Sequence, residues 1–385
     1  MEIQQEQEIL ETILTNFSIS VMKNTFENGD IAIIAGGGGF LGRSVTKHIL
    51  NELPDSKVII LDNWICSDKK EALEDLQDYL PDIEIFDCDV TIYMDIVENL
   101  KKSKFLRYRT VRAVLNFASV PTPKNYLANP ARVFNTNIVG TDRLLDALHF
   151  YSRKSIFIQA STSEVYGKVC DNGIALQMCE DSGLSELNPT DLRACYAESK
   201  RAAETRCAID SRERPDYDYW ILRIFNVYGP GMSATDGRVI PNFVQRMVND
   251  EPCEVNGYRS RCFMYITDFS NVVLDILRGR YHKAAIPEGQ NLMVVNVGSD
   301  ESVPILTVYK MIRDIVQKAR PYGKFDTLFG EDQTTEDDPR IRIPDLSKWN
   351  SLKSPTRNHK KDFQSGLEIT VQSLLKKNYK MLNIH

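Results

Sequence analysis

The sequence predicts an α/β fold with a doubly wound parallel sheet and a smaller carboxyl-terminal lobe. Two observations lead to this prediction. Short apolar runs rich in β-branched residues alternate with helical patterns over residues 31–229, as expected for successive βαβ units. The first run, IAIIA, leads into four glycines and then into a helical pattern, which is the arrangement of nucleotide-binding βαβ units.

The predicted strands and helices follow one another in a regular order. Each strand is a short apolar run bounded by turn residues, and each helix has apolar residues three or four positions apart. After the first run, the predicted strands are VIILDN (58–63), DIEIFDCDV (82–90), AVLNFAS (113–119), SIFIQAST (155–162) and YWILRIFNVYG (219–229). The two clearest helical patterns cover residues 129–150 and 196–210. Beyond residue 230 this alternation breaks into shorter elements.

Composition and charge exclude several classes of protein. The chain has 385 residues, of which 47 are Lys or Arg and 53 Asp or Glu, giving a formal net charge of -6. This acidic balance argues against a nucleic-acid partner, which would call for a basic face. We expect no membrane partner either, because no apolar run approaches the roughly 18–20 residues of a membrane helix. The start of the chain lacks the basic and apolar pattern of a signal peptide, so a cytoplasmic location is expected.

The eight cysteines predict neither a metal site nor a disulfide framework. They are scattered, and no two form a CxxC pair, so the spacing typical of zinc sites is missing. In a long chain without a signal peptide we expect reduced thiols.

The glycine turn and an acid after the second strand predict an NAD site. Gly36, Gly39 and Gly42 are spaced as GxxGxxG between a strand and a helix, which allows a tight turn, close approach of a pyrophosphate and close helix packing. Asp62 follows 20 residues after Gly42, at the end of the second strand. A carboxylate there binds ribose hydroxyls and repels a 2′-phosphate, which favours NAD over NADP. The other expected contacts of the cofactor are Phe40, Leu41, Asn63, Asp89, Val90, Ala118, Tyr196 and Lys200.

A tyrosine, a lysine and a threonine predict the catalytic group. Tyr196 and Lys200 are four residues apart at the start of a helical pattern, so they lie on one helix face. A nearby ammonium favours the phenolate form of tyrosine, which can take a proton from a sugar hydroxyl. Thr162 ends the fifth strand, on the side of a parallel sheet where ligands bind, and can donate to the same hydroxyl.

Together these motifs make the chain resemble the extended short-chain dehydrogenase/reductase superfamily of nucleotide-sugar enzymes. AGGGGFLG, STSEVYG, YAESK and RIFNVYGPG carry the resemblance, which covers roughly residues 30–350. It implies a Rossmann-type sheet and a homodimer. The pattern along the chain predicts a helical arm over residues 1–28, an NAD-binding domain over 29–230, a substrate lobe interleaved with the sheet over 231–350, and a helical tail over 351–385, of which the arm and the tail are not features of the superfamily. Residues 330–340 are expected to form a polar loop.

Two residues before Val-Tyr-Gly distinguish the reactions that this resemblance allows. Dehydratases of the superfamily carry an Asp-Glu pair there, and 4-epimerases usually have a small or neutral residue at the second position. This chain has Ser163 and Glu164, which resembles UDP-glucuronate decarboxylases. The resemblance implies oxidation of sugar C4, loss of CO₂ and return of the hydride, with Glu164 acting near sugar C5. Ala197 and Ser199 depart from the residues usual in those decarboxylases.

The same resemblance implies a set of substrate contacts for a UDP-sugar. Guanidinium groups suit the oxygens of a diphosphate and of a carboxylate. The expected substrate-binding residues are Ser163, Arg193, Asn226, Arg238, Arg261 and Arg342. A 4,6-dehydratase or a 4-epimerase acting on another nucleotide sugar stays open, as does a non-catalytic NAD-binding regulator, although such proteins typically lose the catalytic tyrosine or lysine.

Overall fold

A central parallel sheet with helices on both faces organises the computed structural model. The model describes residues 24–381, apart from short gaps at 108, 123–126, 168–169, 172–173, 176, 183, 185–187, 256–258, 283–284, 330–340 and 356–359. Most of the expected amino-terminal arm, residues 1–23, and the expected loop 330–340 lie outside the described residues. The predicted α/β fold class is confirmed by the seven-stranded parallel sheet.

The strands are short outside the central sheet. In chain order they are β1 (Ile31–Ala35), β2 (Lys57–Asp62), β3 (Ile83–Asp87), β4 (Val111–Asn116), β5 (Ile156–Thr162), β6 (Cys170–Asp171), β7 (Ile174–Ala175), β8 (Gln177–Met178), β9 (Asp218–Ile224), β10 (Val227–Tyr228), β11 (Cys253–Val255), β12 (Ser260–Cys262), β13 (Met264–Tyr265), β14 (Leu292–Val297), β15 (Ser302–Pro304), β16 (Thr327–Phe329) and β17 (Ile341–Pro344).

The helices range from one turn to six turns. In chain order they are α1 (Phe40–Glu52), α2 (Lys69–Asp75), α3 (Tyr93–Lys102), α4 (Pro130–Tyr151), α5 (Ala194–Glu213), α6 (Val239–Val248), α7 (Ile266–Leu277), α8 (Ile305–Ala319), α9 (Ser347–Ser351) and α10 (Phe363–Met381). Helix α4 begins as its sequence suggests, because the Asn129 side chain accepts the Arg132 N–H and Pro130 occupies the first turn, where its missing N–H costs nothing. Among the described residues, every helix is too short or too polar to cross a bilayer.

The central sheet is doubly wound. Its strand order is β3-β2-β1-β4-β5-β9-β14, and all six pairings are parallel. β1 is buried along its whole length, because alternate residues enter cores on opposite faces: Ile34 belongs to one apolar cluster and Ile33 to the other. The carboxyl ends of the strands therefore meet at one edge, where parallel sheets bind ligands.

The smaller lobe is interleaved with this sheet. β14 is the edge strand of the central sheet, although it comes from the segment expected to form the lobe. A second, four-stranded sheet has the order β15-β12-β17-β8, in which β8 precedes the catalytic helix in the chain and β17 lies far beyond it. The lobe is therefore assembled from both halves of the chain, above the carboxyl edge of the central sheet.

Candidate active site

Two cavities meet at the carboxyl edge of the central sheet. The first, here the sheet-edge cavity, has a volume of about 410 Å³ and runs from the glycine turn to Thr162 and Lys200. It is lined by most of the predicted cofactor and catalytic residues, namely Gly36, Gly39, Phe40, Leu41, Gly42, Asp62, Asn63, Val90, Ala118, Thr162, Ser163, Glu164, Tyr196 and Lys200. The second, here the lobe cavity, has a volume of about 350 Å³ and lies between α5, α6 and the four-stranded sheet.

The glycine turn forms a cradle that side chains would fill. Gly36 has a φ of 71°, and a Cβ built there would lie 2.6 Å from the backbone nitrogen of Ala118. A Cβ on Gly42 would lie 2.5 Å from the Cα of Gly37. The first glycine therefore brings β1 against the chain that follows β4, and the other lets helix α1 pack onto the turn. The amino terminus of α1 points its free N–H groups at the cavity, as an anion site requires.

Asp62 lies beside this turn, and hydrogen bonds already hold its carboxylate. One oxygen accepts the N–H of Gly38 at 2.9 Å, and the other accepts the N–H of Trp64 at 2.8 Å and the hydroxyl of Ser67 at 3.1 Å. Burial raises the pKa of Asp62, while these three donors act to lower it. The carboxylate is thus fixed at the position where a ribose would lie.

Asp89, which the sequence predicts beside an adenine, is held in an ion pair just after β3. Its carboxylate accepts the Arg132 guanidinium at 2.6 Å and the hydroxyl of Thr91 at 2.7 Å. Arg132 lines the sheet-edge cavity and Asp89 does not, whereas Val90 does. In this ion pair Arg132 lines the sheet-edge cavity, and Asp89 lies behind Arg132.

The three predicted catalytic residues converge. Tyr196 is buried, and its hydroxyl lies within hydrogen-bonding reach of the hydroxyls of Thr162 and Ser119. Lys200, one turn further along α5, is 2% exposed and donates to the carbonyl of Ala160 at 2.8 Å. Its ammonium lies 5.9 Å from the centre of the Tyr196 ring. The spacing of the two residues therefore places both on the cavity face of the helix, as the sequence predicted.

Burial dominates the electrostatics of this group. It raises the pKa of Tyr196 above its usual value, and the Glu164 carboxylate raises it further, while the hydrogen bonds with Thr162 and Ser119 act to lower it. Burial also lowers the pKa of the Lys200 ammonium to about 7, against the opposing effect of Glu204.

A second layer of polar side chains holds Tyr196. The Ser119 hydroxyl donates to Asn137 at 2.8 Å, the Asn137 amide donates to Ser199 at 2.9 Å, and the Ser199 hydroxyl donates to the backbone carbonyl of Tyr196 at 3.0 Å. Sequence reasoning missed Ser119 and Asn137, although Ser119 is the last residue of a predicted strand. It also missed Thr136, which lines the sheet-edge cavity and whose buried hydroxyl has no hydrogen-bond partner among the described residues.

Glu164 and Arg342 lie where the two cavities meet. Both residues line both cavities, and the guanidinium of Arg342 is 4.0 Å from the carboxylate of Glu164. Of the other predicted substrate residues, Asn226 and Arg238 also line both cavities, Arg193 and Arg261 line the lobe cavity, and Ser163 lines the sheet-edge cavity. Arg259, which was not predicted, adds a further guanidinium to the lobe cavity.

The sheet-edge cavity fits a dinucleotide. The glycine cradle and the start of α1 suit a pyrophosphate, and the fixed carboxylate of Asp62 suits a ribose. Within the described residues, no group of three or more His, Cys, Asp or Glu side chains could hold a metal ion. The described cysteines are all free thiols.

A sequence comparison with known families finds a match over most of the chain. The family described as the NAD dependent epimerase/dehydratase family matches residues 32–298. This range runs from β1 to the end of β14 and includes both the glycine turn and the catalytic helix.

Individual relatives and solved structures agree with that match. The chain is 28% identical over 322 residues to UDP-glucuronic acid decarboxylase 4 of Arabidopsis thaliana, covering 83% of this chain and 63% of the relative. It is 29% identical over 318 residues to UDP-glucuronic acid decarboxylase 1 of Xenopus tropicalis, covering 82% of this chain and 66% of the relative. The chain thus spans somewhat less than two thirds of each. The structure of UDP-glucuronic acid 4-epimerase from Bacillus cereus, in complex with UDP-glucuronic acid and NAD, superposes with a TM-score of 0.71 at 20% identity over 90% of this chain and 99% of that one.

Proposed function

The chain belongs to the NAD-dependent epimerase/dehydratase family, and from this premise we propose that it decarboxylates UDP-glucuronate to UDP-xylose through a 4-keto sugar. The membership confirms the resemblance and the NAD cofactor expected from the sequence. The reaction itself is our proposal. The observation that carries it is the position of Glu164, beside Arg342 at the junction of the two cavities.

The residues of the sheet-edge cavity would hold the cofactor. Hydride transfer at sugar C4 is the chemistry that NAD supplies when bound. The glycine turn would hold the pyrophosphate and Asp62 a ribose. Lys200 is buried beside Tyr196 with its ammonium already bonded to Ala160, so its remaining protons can reach a second ribose or the phenol.

Tyr196 is the proposed proton acceptor for the sugar C4 hydroxyl. Its own hydroxyl is within reach of Thr162, so a substrate hydroxyl bound between them would meet a donor and an acceptor at once. Burial and Glu164 raise the pKa of the Tyr196 phenol. Once it has lost its proton, the Tyr196 phenolate is therefore a stronger base than an ordinary tyrosinate. Arg238, which lines both cavities, is one cation that acts to lower this pKa.

Glu164 and Arg342 would act on the other side of the sugar. Once C4 is a ketone, the C6 carboxylate of glucuronate is a β-keto acid. The bond between C5 and C6 breaks, CO₂ leaves, and the electron pair moves into the 4-keto oxygen before C5 is protonated. The hydride would then return to C4 and the Tyr196 proton to the C4 oxygen, which gives UDP-xylose and leaves no net redox change. The carboxylate of Glu164 disfavours a second anion beside it, while Arg342 and the lobe arginines hold the diphosphate. The Glu164 carboxylate raises the pKa of Tyr196, and both residues line the sheet-edge cavity.

The test is to give the purified protein a panel of nucleotide sugars and follow the products by mass spectrometry. We expect loss of CO₂ from UDP-glucuronate. Loss of water would indicate a dehydratase and an unchanged mass with an altered sugar would indicate an epimerase, and either result on another substrate would replace our proposal. The expected cytoplasmic location and homodimer belong to the same proposal.

Glu164→Gln separates the decarboxylase from a plain epimerase. We expect the variant to oxidise C4 and then stall, so that the 4-keto acid accumulates together with the absorbance of the reduced nicotinamide. The control is Glu198→Gln, because Glu198 lies on α5 in an ion pair with Arg201 at 3.0 Å and lines neither cavity. Decarboxylation by Glu164→Gln at the rate of the control would remove Glu164 from the mechanism.

A further inference from the structure

The carboxylate of Glu71, on helix α2, binds two cations from distant parts of the chain. Glu71 accepts the guanidinium of Arg43, on α1, at 3.0 Å and the ammonium of Lys377, on α10, at 2.7 Å. We call Arg43, Glu71 and Lys377 the Glu71 cluster. The Arg43 side chain is only 6% exposed, whereas Glu71 and Lys377 are 34% and 25% exposed. One member is therefore buried and two can be reached from solvent.

Both cations of the cluster also bind one loop. The loop of residues 229–238 connects β10 to α6 and contains no regular element. Arg43 donates to the carbonyl of Gly231 at 2.7 Å, and Lys377 donates to the next carbonyl, that of Met232, at 2.9 Å. Two successive carbonyls of the loop are thus held by two cations, which share one acid.

The same loop forms part of the wall of both cavities. Its residues Ser233, Thr235 and Asp236 line the sheet-edge cavity, Met232 lines the lobe cavity, and Arg238 lines both. The guanidinium of Arg238 lies 5.6 Å from the centre of the Phe40 ring, at the start of the helix that follows the glycine turn. A shift of the loop would therefore alter the binding surface for cofactor and for substrate together.

We propose that Lys377 is a positioning residue that, through the Glu71 cluster, fixes loop 229–238 over the two cavities and makes nucleotide binding depend on helix α10. This helix lies beyond residue 298, where the family match ends. The inference rests on the proposed function for the identity of the ligand, but it does not depend on decarboxylation. Removing the ammonium frees one loop carbonyl and leaves Glu71 with a single cation, so the loop gains mobility.

The experiment compares Lys377→Met with Lys376→Met. Lys376 is the neighbouring lysine on the same helix, and it is exposed. UDP is the ligand, its affinity is measured by calorimetry, and amide hydrogen exchange follows residues 229–238 and α10. We expect Lys377→Met to bind UDP about three- to tenfold more weakly than the control, the range for a partly exposed ion pair and a charged hydrogen bond, with faster exchange in the loop. Lys377→Arg should restore both values.

Two outcomes would overturn the proposal. One is equal loop exchange in Lys377→Met and Lys376→Met. The other is faster exchange confined to α10 while the loop stays protected, which would make Lys377 a merely structural residue of its own helix. Glu71→Gln adds an independent arm from α2, because it removes the charge that Arg43 and Lys377 share and should also speed exchange in the loop. If the unaltered protein fails to bind UDP, the nucleotide in the proposed function is wrong, and loop exchange still decides the role of Lys377.

Discussion

The sequence motif of Tyr196 and Lys200 predicts where the two side chains lie but not how they ionise. The spacing of Tyr196 and Lys200 places both on one helix face, and the structure has them there. Their ionisation depends on surroundings that spacing does not encode. Burial and the Glu164 carboxylate raise the pKa of Tyr196, and burial lowers the pKa of Lys200 against the effect of Glu204.

Tyr196→Phe should reduce turnover by about 10²- to 10⁴-fold, the usual contribution of a general base. The substitution removes one hydroxyl from a buried ring, so we expect a thermal unfolding midpoint close to that of the unaltered protein. Product formation and circular dichroism on heating measure the two effects. Tyr322→Phe, at a fully exposed tyrosine, is the control. Activity of Tyr196→Phe at the level of the control would contradict the catalytic assignment.

Helix α5 supplies several of the residues at the candidate active site. Tyr196, Lys200 and Glu204 follow at intervals of four residues along it, and all three are buried. The guanidinium of Arg223, on β9, forms a fork with the Glu204 carboxylate at 3.1 and 2.8 Å, and the hydroxyl of Ser161 also donates to that carboxylate. The helix, β5 and β9 are therefore joined by one buried acid just below the catalytic residues.

Glu204→Gln should shift the pH dependence of kcat/KM. Glu204 is the main group that raises the pKa of Lys200, with a smaller contribution from Cys207, against burial, which lowers it to about 7. Without the carboxylate the pKa falls further, so the ammonium is lost at lower pH. If the ammonium is needed, activity should decline on the alkaline side roughly one pH unit earlier.

The control for this shift is Glu213→Gln, at the exposed end of the same helix. A variant that is merely less stable would lose activity at every pH without moving the profile. An unchanged alkaline limb in Glu204→Gln would separate Glu204 from the ionisation of Lys200.

The sequence predicts the elements of the central sheet better than those of the lobe, for a physical reason. β1, β2, β4 and β5 are buried on both faces, so their apolar runs stand out between turns. In the lobe, by contrast, strands of two or three residues pair with distant partners, as β8 does with β17. Segments this short have no periodicity to read, so Arg259 and the loop 229–238 could not be placed from the sequence.

At the scale of the whole molecule, one asparagine joins the two sheets. Asn296, on the edge strand β14, is fully buried. Its side chain accepts the Tyr166 hydroxyl at 2.7 Å and donates to the carbonyls of Met178 at 2.7 Å and Asp345 at 3.1 Å. Tyr166 closes the turn that begins at Thr162, and Asp345 follows the strand that carries Arg342. The carboxyl edge of the central sheet and the four-stranded sheet thus share one hydrogen-bonding centre.

Asn296→Ala should lower the free energy of unfolding by about 3–5 kcal/mol, because it leaves a buried phenol, the buried carbonyl of Met178 and the partly buried carbonyl of Asp345 short of partners. Asn249→Ala, which removes only an exposed hydrogen bond to Glu251, should change it by less than about 0.5 kcal/mol. Denaturant titrations followed by tryptophan fluorescence and by circular dichroism measure both variants.

The same titrations test whether the hydrogen bonds of Asn296 make the sheet and the lobe one cooperative unit. If they do, the fluorescence transition and the circular dichroism transition coincide in the unaltered protein. Separation of the two transitions in Asn296→Ala, with the lobe tryptophan Trp349 changing first, would mean that Asn296 couples the lobe to the sheet. A loss below about 1 kcal/mol would contradict this role, because an unsatisfied buried group alone costs about that much.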